Sequence, residues 1–555
     1  MSSAVVTRET VESNVPRTLT GGEAAVETLK QNGVDTVFGL PGVQLDGLFN
    51  AFYENQDAIR VIHTRHEQAT AYMADGYSRV TGKEGVCVVV PGPGVMNASA
   101  ALATAYACNS SVLCLTGQIR SDMIGVGRGL LHEIPDQLGM ARSFTKFQAR
   151  ANTPAEIPGA LDRALSEIRS GRPRPTYVEV PPDIFFASGE VTIGPPVAKR
   201  SRFAGDPDLI AKAAKALNGA KNPLIYTGGG SVVANAGPEL LELARMLQAP
   251  IIASRNGKGV IDDRDDLSVG QLADKELRPS ADVILAVGTR FLGPVSDPIE
   301  VRPDQTLIRI DIDPEEIVRN CRATIEIEAD AKAALAALVD AVSPDRALDR
   351  EKLTAIRELK ASLQARVESI EPQASYSKAI RQTLPEDGVL VGEMTQLGYW
   401  SNLGYPVYKP NTYLGCGYQG TLGFGFTLAM GAKVGKPDVP VVSMNGDGGF
   451  GFTLNELSTL VQHNIGLITI VFNDNAYGNV KRIQQVDMGG RQIASDLVNP
   501  DYVKLAESFG VTGRRAESPD QLAQHLADAI RADEPTLIEV PVPAMPDPWK
   551  TLKLR

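Results

Sequence analysis

Residues 439–478 read VPVVSMNGDGGFGFTLNELSTLVQHNIGLITIVFNDNAYG. Val439–Met444 is an apolar run of strand length, and Ile465–Phe472 is a second. Between them Leu454, Leu457, Leu460 and Val461 recur at helical spacing, which predicts a helix over Thr453–His463. Each apolar run stops at a carboxylate, the first at Gly446-Asp447-Gly448 and the second at Asn473-Asp474-Asn475. In a right-handed β-α-β unit both strand ends lie on one sheet edge, and open parallel sheets bind ligands there. Asp447 and Asp474 can therefore meet on one hard cation. Mg2+ takes one or two carboxylates and completes its shell with phosphate oxygens and water. Gly448 and Gly449 carry no side chains, so backbone N–H groups can approach a phosphate. The pattern reads as a metal–diphosphate clamp, although aspartates at strand ends also cap turns.

The same alternation extends through the chain. Upstream, the strand Val389–Val391 stops at Gly392-Glu393-Met394-Thr395-Gln396, and a glycine turn runs Gly420-Thr421-Leu422-Gly423-Phe424-Gly425. Near the start a helix over Gly21–Asn32 precedes the strand Thr36–Gly39 and the turn Leu40-Pro41-Gly42-Val43. Arg60–Ile62 leads into His63-Thr64-Arg65-His66-Glu67 and a helix over Ala69–Arg79. Gly85–Val90 is a buried strand before Pro91-Gly92-Pro93-Gly94-Val95-Met96-Asn97, and Val112–Leu115 is another. In the middle, Pro223–Tyr226, Asp282–Val287 and Leu307–Ile312 are strands. Strands alternating with helices predict an α/β chain with parallel sheets. The turn Thr227-Gly228-Gly229-Gly230 could cradle a dinucleotide, but it lacks the full glycine fingerprint and reads first as a tight structural turn. Leu353, Ile356, Leu359 and Leu363 mark a connecting helix after a turn at Ser343-Pro344. The expected divisions are an arm over 1–17, domains over 18–190, 203–342 and 374–555, and a connector over 343–373.

Composition narrows the function. The chain has 555 residues, 43% of them hydrophobic, and a formal charge of −11, so it can bury large cores and has no bias toward nucleic acid or anionic membrane. No apolar run has the length of a membrane span, and Met1–Arg17 lacks the apolar core of a signal peptide. The five cysteines, Cys87, Cys108, Cys114, Cys321 and Cys416, are odd in number and form no C-x-x-C pair. That usage suits a reducing cytoplasm. His63 and His66 have no third ligand near them in sequence, which argues against zinc.

The clamp followed by Asn473-Asp474-Asn475 resembles the diphosphate-binding signature of thiamine-diphosphate enzymes. Arg65-His66-Glu67-Gln68-Ala69 resembles that family's catalytic segment, and Pro91-Gly92-Pro93-Gly94 its active-site loop. The resemblance runs in the family's domain order from about Leu19 to Pro546. It implies three doubly wound parallel-sheet domains: pyrimidine-binding, central and diphosphate-binding. It implies thiamine diphosphate and Mg2+, with the metal on Asp447, Asp474 and the carbonyl of Ala476. Met394, Thr395, Gly448, Gly449, Tyr477, Gly478 and Asn479 would line the diphosphate. The Gly420 carbonyl would hold the exocyclic amino group, and Leu422 would prop the two rings into a V. Pro41, Gly42, Asn97 and Glu67 would serve the pyrimidine side. There Glu67 would share a proton with N1′, promoting the imino tautomer that deprotonates the thiazolium, a task suited to a raised pKa. Val43, Gln44, Leu131, His132 and Ile483 would face the substrate.

Within the family the chain looks most like the acetolactate synthase group, with departures. Asp474 stands where Asn is usual, His132 where relatives carry Gln, Ile483 where they carry a Trp, and Phe426-Thr427 where a proline is common. Arg290-Phe291-Leu292-Gly293-Pro294 replaces the flavin-associated Arg-Phe-Asp-Asp-Arg stretch, which argues against FAD. The resemblance implies a carboligase that decarboxylates a 2-oxo acid and joins the resulting enamine to a second carbonyl compound. The alternative is a decarboxylase or C–C lyase releasing an aldehyde, including from 2-hydroxyacyl thioesters. A silent cofactor-binding subunit is disfavoured by Glu67 and Asp447. His132 would either relay protons or stand in for Gln as a hydrogen-bonding group. In the family the cofactor lies between subunits, so a homodimer or homotetramer is expected.

Overall fold

The computed structural model describes residues 15–199, 201–343 and 347–554. Most of the expected arm over 1–17 lies outside these residues, as does Pro344 of the expected turn; Arg17 already opens a strand. Contacts divide the chain into two compact units. One holds residues up to 200 except Arg79–Gly82, which group with residues 201–555 in the other.

Three parallel sheets make up the fold. The first unit carries six strands in the order Arg60–His63, Thr36–Gly39, Gly85–Val89, Val112–Gly117, Thr176–Val180, Phe147–Arg150. An antiparallel pair, Arg17–Thr20 with Ser188–Val191, lies apart from that sheet. The second unit carries two sheets. The central one runs Ile251–Ala253, Pro223–Thr227, Val283–Val287, Thr306–Asp311, Ile325–Glu328. The C-terminal one runs Tyr413–Leu414, Val389–Gly392, Val441–Gly446, Ile468–Asn473, Thr536–Pro541, Thr512–Arg515. Inner strands such as Val283–Val287 and Ile468–Asn473 are buried along their whole length, as Val/Ile-rich strands covered on both faces must be.

All three sheets wind alike. In each, the chain makes its first strand, adds the second on one side and returns to place the third on the other. The winding reverses between the first and third strands, where a crevice opens at their carboxyl ends. Those ends are Gly39 and Val89 in the first sheet, Thr227 and Val287 in the central one, and Gly392 and Gly446 in the C-terminal one.

Helix boundaries follow local chemistry. Thr20 and Glu23 form a capping box at the helix Gly21–Gln31. The helix expected over Thr453–His463 is present: a 3-10 turn over Leu454–Glu456 runs straight into the α-helix Leu457–Gln462. A separate four-residue helix, Asp447–Phe450, starts at once on Asp447. Four glycines from Gly446 to Gly451 keep that first stretch tight and short. The connector forms the helix Arg350–Glu368, whose Ile356, Leu363 and Val367 join the central core.

Candidate active site

Three neighbouring strands of the C-terminal sheet each run directly into a carboxylate: Glu393, Asp447 and Asp474. Asp447 is buried, and its Oδ2 accepts the Ala476 N–H (3.2 Å) and Asn499 Nδ2 (2.6 Å). Asn499 also donates to Asn473 Oδ1 (2.9 Å), so one amide braces both strand ends. Burial pushes the Asp447 carboxyl upward. Burial, and then the neighbouring charge of Asp447, push Asp474 up to about 6. A divalent cation would offset the repulsion between two carboxylates set this close.

Glycines leave room where side chains would collide. A Cβ on Gly478 would sit 2.3 Å from Asp474 Oδ2, one on Gly448 2.7 Å from the Tyr477 ring, and one on Gly449 2.4 Å from Glu393 Oε2. Glu393 is buried, and its Oε1 accepts the Gly423 N–H (2.6 Å). Its Oε2 has no hydrogen-bond partner among the described residues, and burial raises its pKa to about 7. Gly420 and Gly423 are left-handed (φ 62° and 83°), and the half-buried Leu422 stands between them. Thr395 caps the helix Gln396–Gly404 by accepting the Gly398 N–H (2.9 Å), and Met394 Sδ lies 3.4 Å from Cys416 Sγ. Tyr477 precedes the helix Gly478–Val486, which buries none of its residues and leaves Ile483 half-exposed. Asn479 on that helix accepts from Gln396 (3.2 Å) and Arg482 (2.9 Å).

The first unit gathers a second constellation. Glu67 opens the helix Glu67–Thr81, and Asn97 Nδ2 donates to its Oε2 (3.0 Å). Gly94 lies beneath it, with its Cβ position 3.6 Å from Glu67 Oε1. Gly42 packs so closely that a Cβ would meet Val90 at 2.4 Å, while Pro41, Val43 and Leu131 are exposed. His132 has a left-handed backbone, φ 69°, uncommon outside glycine and frequent at strained functional positions. Gln44 fixes its ring. Gln44 Nε2 donates to the Leu131 carbonyl (3.1 Å), which turns Oε1 toward His132 Nδ1 (2.9 Å). Nδ1 must then carry the proton in the neutral ring, leaving Nε2 as the nitrogen that can accept one.

At the central sheet the ends of the first and third strands are bonded to each other. Gly228 N–H donates to Val287 O (3.2 Å) and Gly230 N–H to Gly288 O (3.0 Å), so these amides of the glycine turn are already used. Phe291 packs edge-on against Tyr226 with ring centroids 5.0 Å apart. The sequence left this stretch open between a dinucleotide cradle and a structural turn; Gly228 is extended, and Gly229 and Gly230 open the short helix Gly229–Val233.

Three family models match the chain in succession. They are the thiamine pyrophosphate enzyme N-terminal TPP binding domain over residues 19–140, the central domain over 210–338 and the C-terminal TPP binding domain over 393–540. A probable acetolactate synthase large subunit from Methanocaldococcus jannaschii is 35% identical, over 95% of this chain and 93% of its own length. The chain belongs to the thiamine pyrophosphate enzymes. Other members similar to this enzyme include a probable 2-ketoarginine decarboxylase from Pseudomonas aeruginosa, 34% identical over 94% of each chain. The acetolactate synthase isozyme 3 large subunit from Escherichia coli is 31% identical over 92% of each. Thiamine diphosphate with Mg2+ is therefore the enzyme's cofactor.

The C-terminal site fits that group: two carboxylates lie close enough for the charge of Asp447 to raise the pKa of Asp474, the glycine turns exclude side chains, and a buried Glu393 oxygen lacks a partner among the described residues. No cluster of three or more His, Cys, Asp or Glu among the described residues could hold a metal alone. Carbonyl, phosphate and water oxygens would complete the shell, as Mg2+ prefers. Asn499 and Glu393 escaped the sequence reading. Glu393 follows a strand end as the two aspartates do, a signal that could have found it; nothing in Asn499-Pro500 signals its role. Among the described residues no helix is long and apolar enough to cross a membrane.

Proposed function

We propose that the enzyme decarboxylates a 2-oxo acid and ligates the remaining acyl unit to a second carbonyl compound. The supporting observation is end-to-end similarity to acetolactate synthase large subunits, 35% and 32% identical over 95% and 92% of this chain. When bound, thiamine diphosphate supplies the carbon that adds to the 2-oxo acid and the sink for the electrons left by carbon dioxide. Asp447, Asp474 and the Ala476 carbonyl would hold Mg2+, with Asn499 fixing the Asp447 carboxylate. Met394, Thr395, Gly448, Gly449, Tyr477, Gly478 and Asn479 would form the diphosphate wall, and Gly420 and Leu422 the bend between the rings. Glu67, fixed through Oε2 by Asn97, would exchange a proton with the aminopyrimidine.

A second reading rests on His132. With Nδ1 bonded to Gln44, its Nε2 can hold and deliver a proton, which favours aldehyde release. The 34% identity to a probable 2-ketoarginine decarboxylase runs the same way. Val43, Gln44, Leu131, His132 and Ile483 would line the substrate side. The active unit would be at least a homodimer in a reducing cytoplasm, which suits five free cysteines. Arg290-Phe291-Leu292-Gly293-Pro294 in place of the flavin-associated stretch supports activity without flavin.

Incubation with pyruvate, and then with other 2-oxo acids and 2-hydroxyacyl thioesters, tests this reading in the presence of thiamine diphosphate and Mg2+. Acetolactate-type products are expected; aldehyde alone would overturn ligation in favour of the second reading. Glu67→Gln should lower turnover by about 10²–10⁴-fold with cofactor still bound, and unchanged turnover would remove Glu67 from its role.

A further inference from the structure

Behind the loop that carries His132 runs a buried chain of hydrogen bonds that none of these assignments uses. Glu179, on the strand Thr176–Val180, is fully buried. Its Oε1 accepts from Arg150 Nε (2.6 Å) and Gln118 Nε2 (3.2 Å), and its Oε2 from Tyr177 OH (2.9 Å) and Gln137 Nε2 (2.8 Å). A carboxylate so deep in a protein is tolerated only when its charge is paired and its lone pairs are met. Here the pairing falls to Arg150, and Gln137 is the member that leads outward.

Gln137 is also buried, and its two ends face different partners. Nε2 donates to Glu179 and to Gly117 O (3.2 Å), while Oε1 accepts the Gly92 N–H (2.8 Å). An ionised carboxylate can only accept, so Glu179 compels the amide nitrogen to face it. The oxygen is thereby left for Gly92. Glu179 thus sets the orientation of Gln137, and Gln137 fixes the Gly92 peptide.

Gly92 is where the two functional groups of this unit join. Its backbone (φ 60°, ψ −112°) is one that glycine alone adopts readily. A Cβ there would lie 2.4 Å from the His132 carbonyl oxygen. Gly92 also caps the helix Pro93–Cys108, which brings Gly94 beneath Glu67 and Asn97 onto Glu67 Oε2. Gly117, the other acceptor of Gln137, lies against Gln44, the residue that orients the His132 ring.

We propose that Gln137, oriented by Glu179, is a positioning residue that holds Gly92 and thereby keeps Glu67 and His132 at a fixed separation. Its catalytic consequence rests on the reading of Glu67 given above.

A compensating pair of substitutions in the full chain tests the proposal. Gln137→Glu sets a carboxylate against Glu179, and Glu179→Gln removes the charge that orients the amide. In the double variant the amide and the carboxylate trade places, the bond between them is restored, and an oxygen still faces Gly92, while the Gly117 carbonyl loses its donor and keeps recovery partial. Gln137→Met, of similar length and uncharged, deletes the bonds without adding charge. Two measurements need no substrate. One is deuterium exchange of the backbone amides of residues 91–97 in the cofactor-free protein. The other is exchange of the C2 proton of bound thiamine diphosphate with solvent, recorded with the cofactor's affinity.

Each single variant should speed exchange over 91–97 and slow C2 exchange by about 100-fold, the scale of a misplacement near 1 Å, at unchanged cofactor affinity. The double variant should recover most of both. Parental exchange over 91–97 in Gln137→Met would overturn the proposal, as would a double variant no better than the worse single. Loosened 91–97 amides with parental C2 exchange would also overturn the positioning role. Because neither readout uses a 2-oxo acid, failure of the substrate assignment leaves the test intact.

Discussion

The central and C-terminal sheets share one strand order over their first four strands, yet different residues stand at their two crevices. At the C-terminal crevice the strands run out into Glu393, Asp447 and Asp474, and glycines keep the space above them clear. At the central crevice the glycine amides turn back onto the neighbouring strand end, and Phe291 fills what is left. Phe291 itself is left-handed at φ 58°, a costly conformation for a bulky residue, and it drives the ring inward. Winding supplies a crevice; the residues at strand ends decide whether it is a site or a core.

Breaking the difference at its strongest point should have the largest effect. Asp447→Ala removes one of two carboxylates from the clamp and should weaken Mg2+-dependent binding of thiamine diphosphate by more than about 100-fold. Titrating the cofactor with and without Mg2+ measures this, and equal affinity in both would place the clamp elsewhere. Phe291→Ala should do the opposite. Alanine keeps the strained backbone and deletes only the ring, so the chain should lose about 3–5 kcal/mol of stability while cofactor affinity stays parental. Denaturant unfolding and a cofactor titration on the same preparation check both halves.

Asn499→Ala sharpens the comparison, because Asn499 touches no cation itself but braces Asp447 and Asn473. Loss of such a brace should cost about 10–100-fold in Mg2+ affinity, read by titrating Mg2+ at fixed cofactor; an unaltered curve would leave Asn499 a loop-packing residue. The smallest effect concerns Glu393. Burial raises its carboxyl from 4.5 to about 7, so the folded chain keeps a proton that the unfolded chain has released. Stability from this group is full below about pH 4.5, falls as pH rises toward 7, and stays lost above it. Glu393→Gln should therefore gain on the parent with rising pH, by roughly 3 kcal/mol at most above neutrality. Melting curves of the cofactor-free protein from pH 5 to 8 would show it, and parallel curves would mean that Glu393 is ionised throughout.

What sequence could disclose follows from how each residue reaches the site. Asp447 and Asp474 were legible because a strand end is a local event: an apolar run stops, and the next side chain faces the sheet edge. The α/β class was legible from the alternation of strands and helices, while the number of sheets came from the family resemblance. The helix over Leu454–Gln462 was legible from its leucine spacing, but the short helix Asp447–Phe450 before it was not, because closely placed glycines carry no helical pattern. Asn499 was invisible because it arrives through a loop 52 residues after Asp447 in the chain. Gln137 and Glu179 were invisible as a pair because strand order, not spacing, brings them together. The stretch 227–230 shows the converse, since its glycines read as a turn while Gly229 and Gly230 open a short helix.

The shared winding also bears on how the chain is made. The first and third strands of the three sheets begin at Thr36 and Gly85, Pro223 and Val283, and Val389 and Val441, separations of 49, 60 and 52 residues. Each crevice can therefore close while the ribosome is still extending the following segment, because both of its walls lie in a short, already synthesised stretch. The carboxylate pair at the C-terminal crevice is the exception. Asp447 ends the second wall, but Asp474 and then Asn499 must follow before the bonds that brace this corner can form. Those bonds are thus made only after every sheet has its central strands.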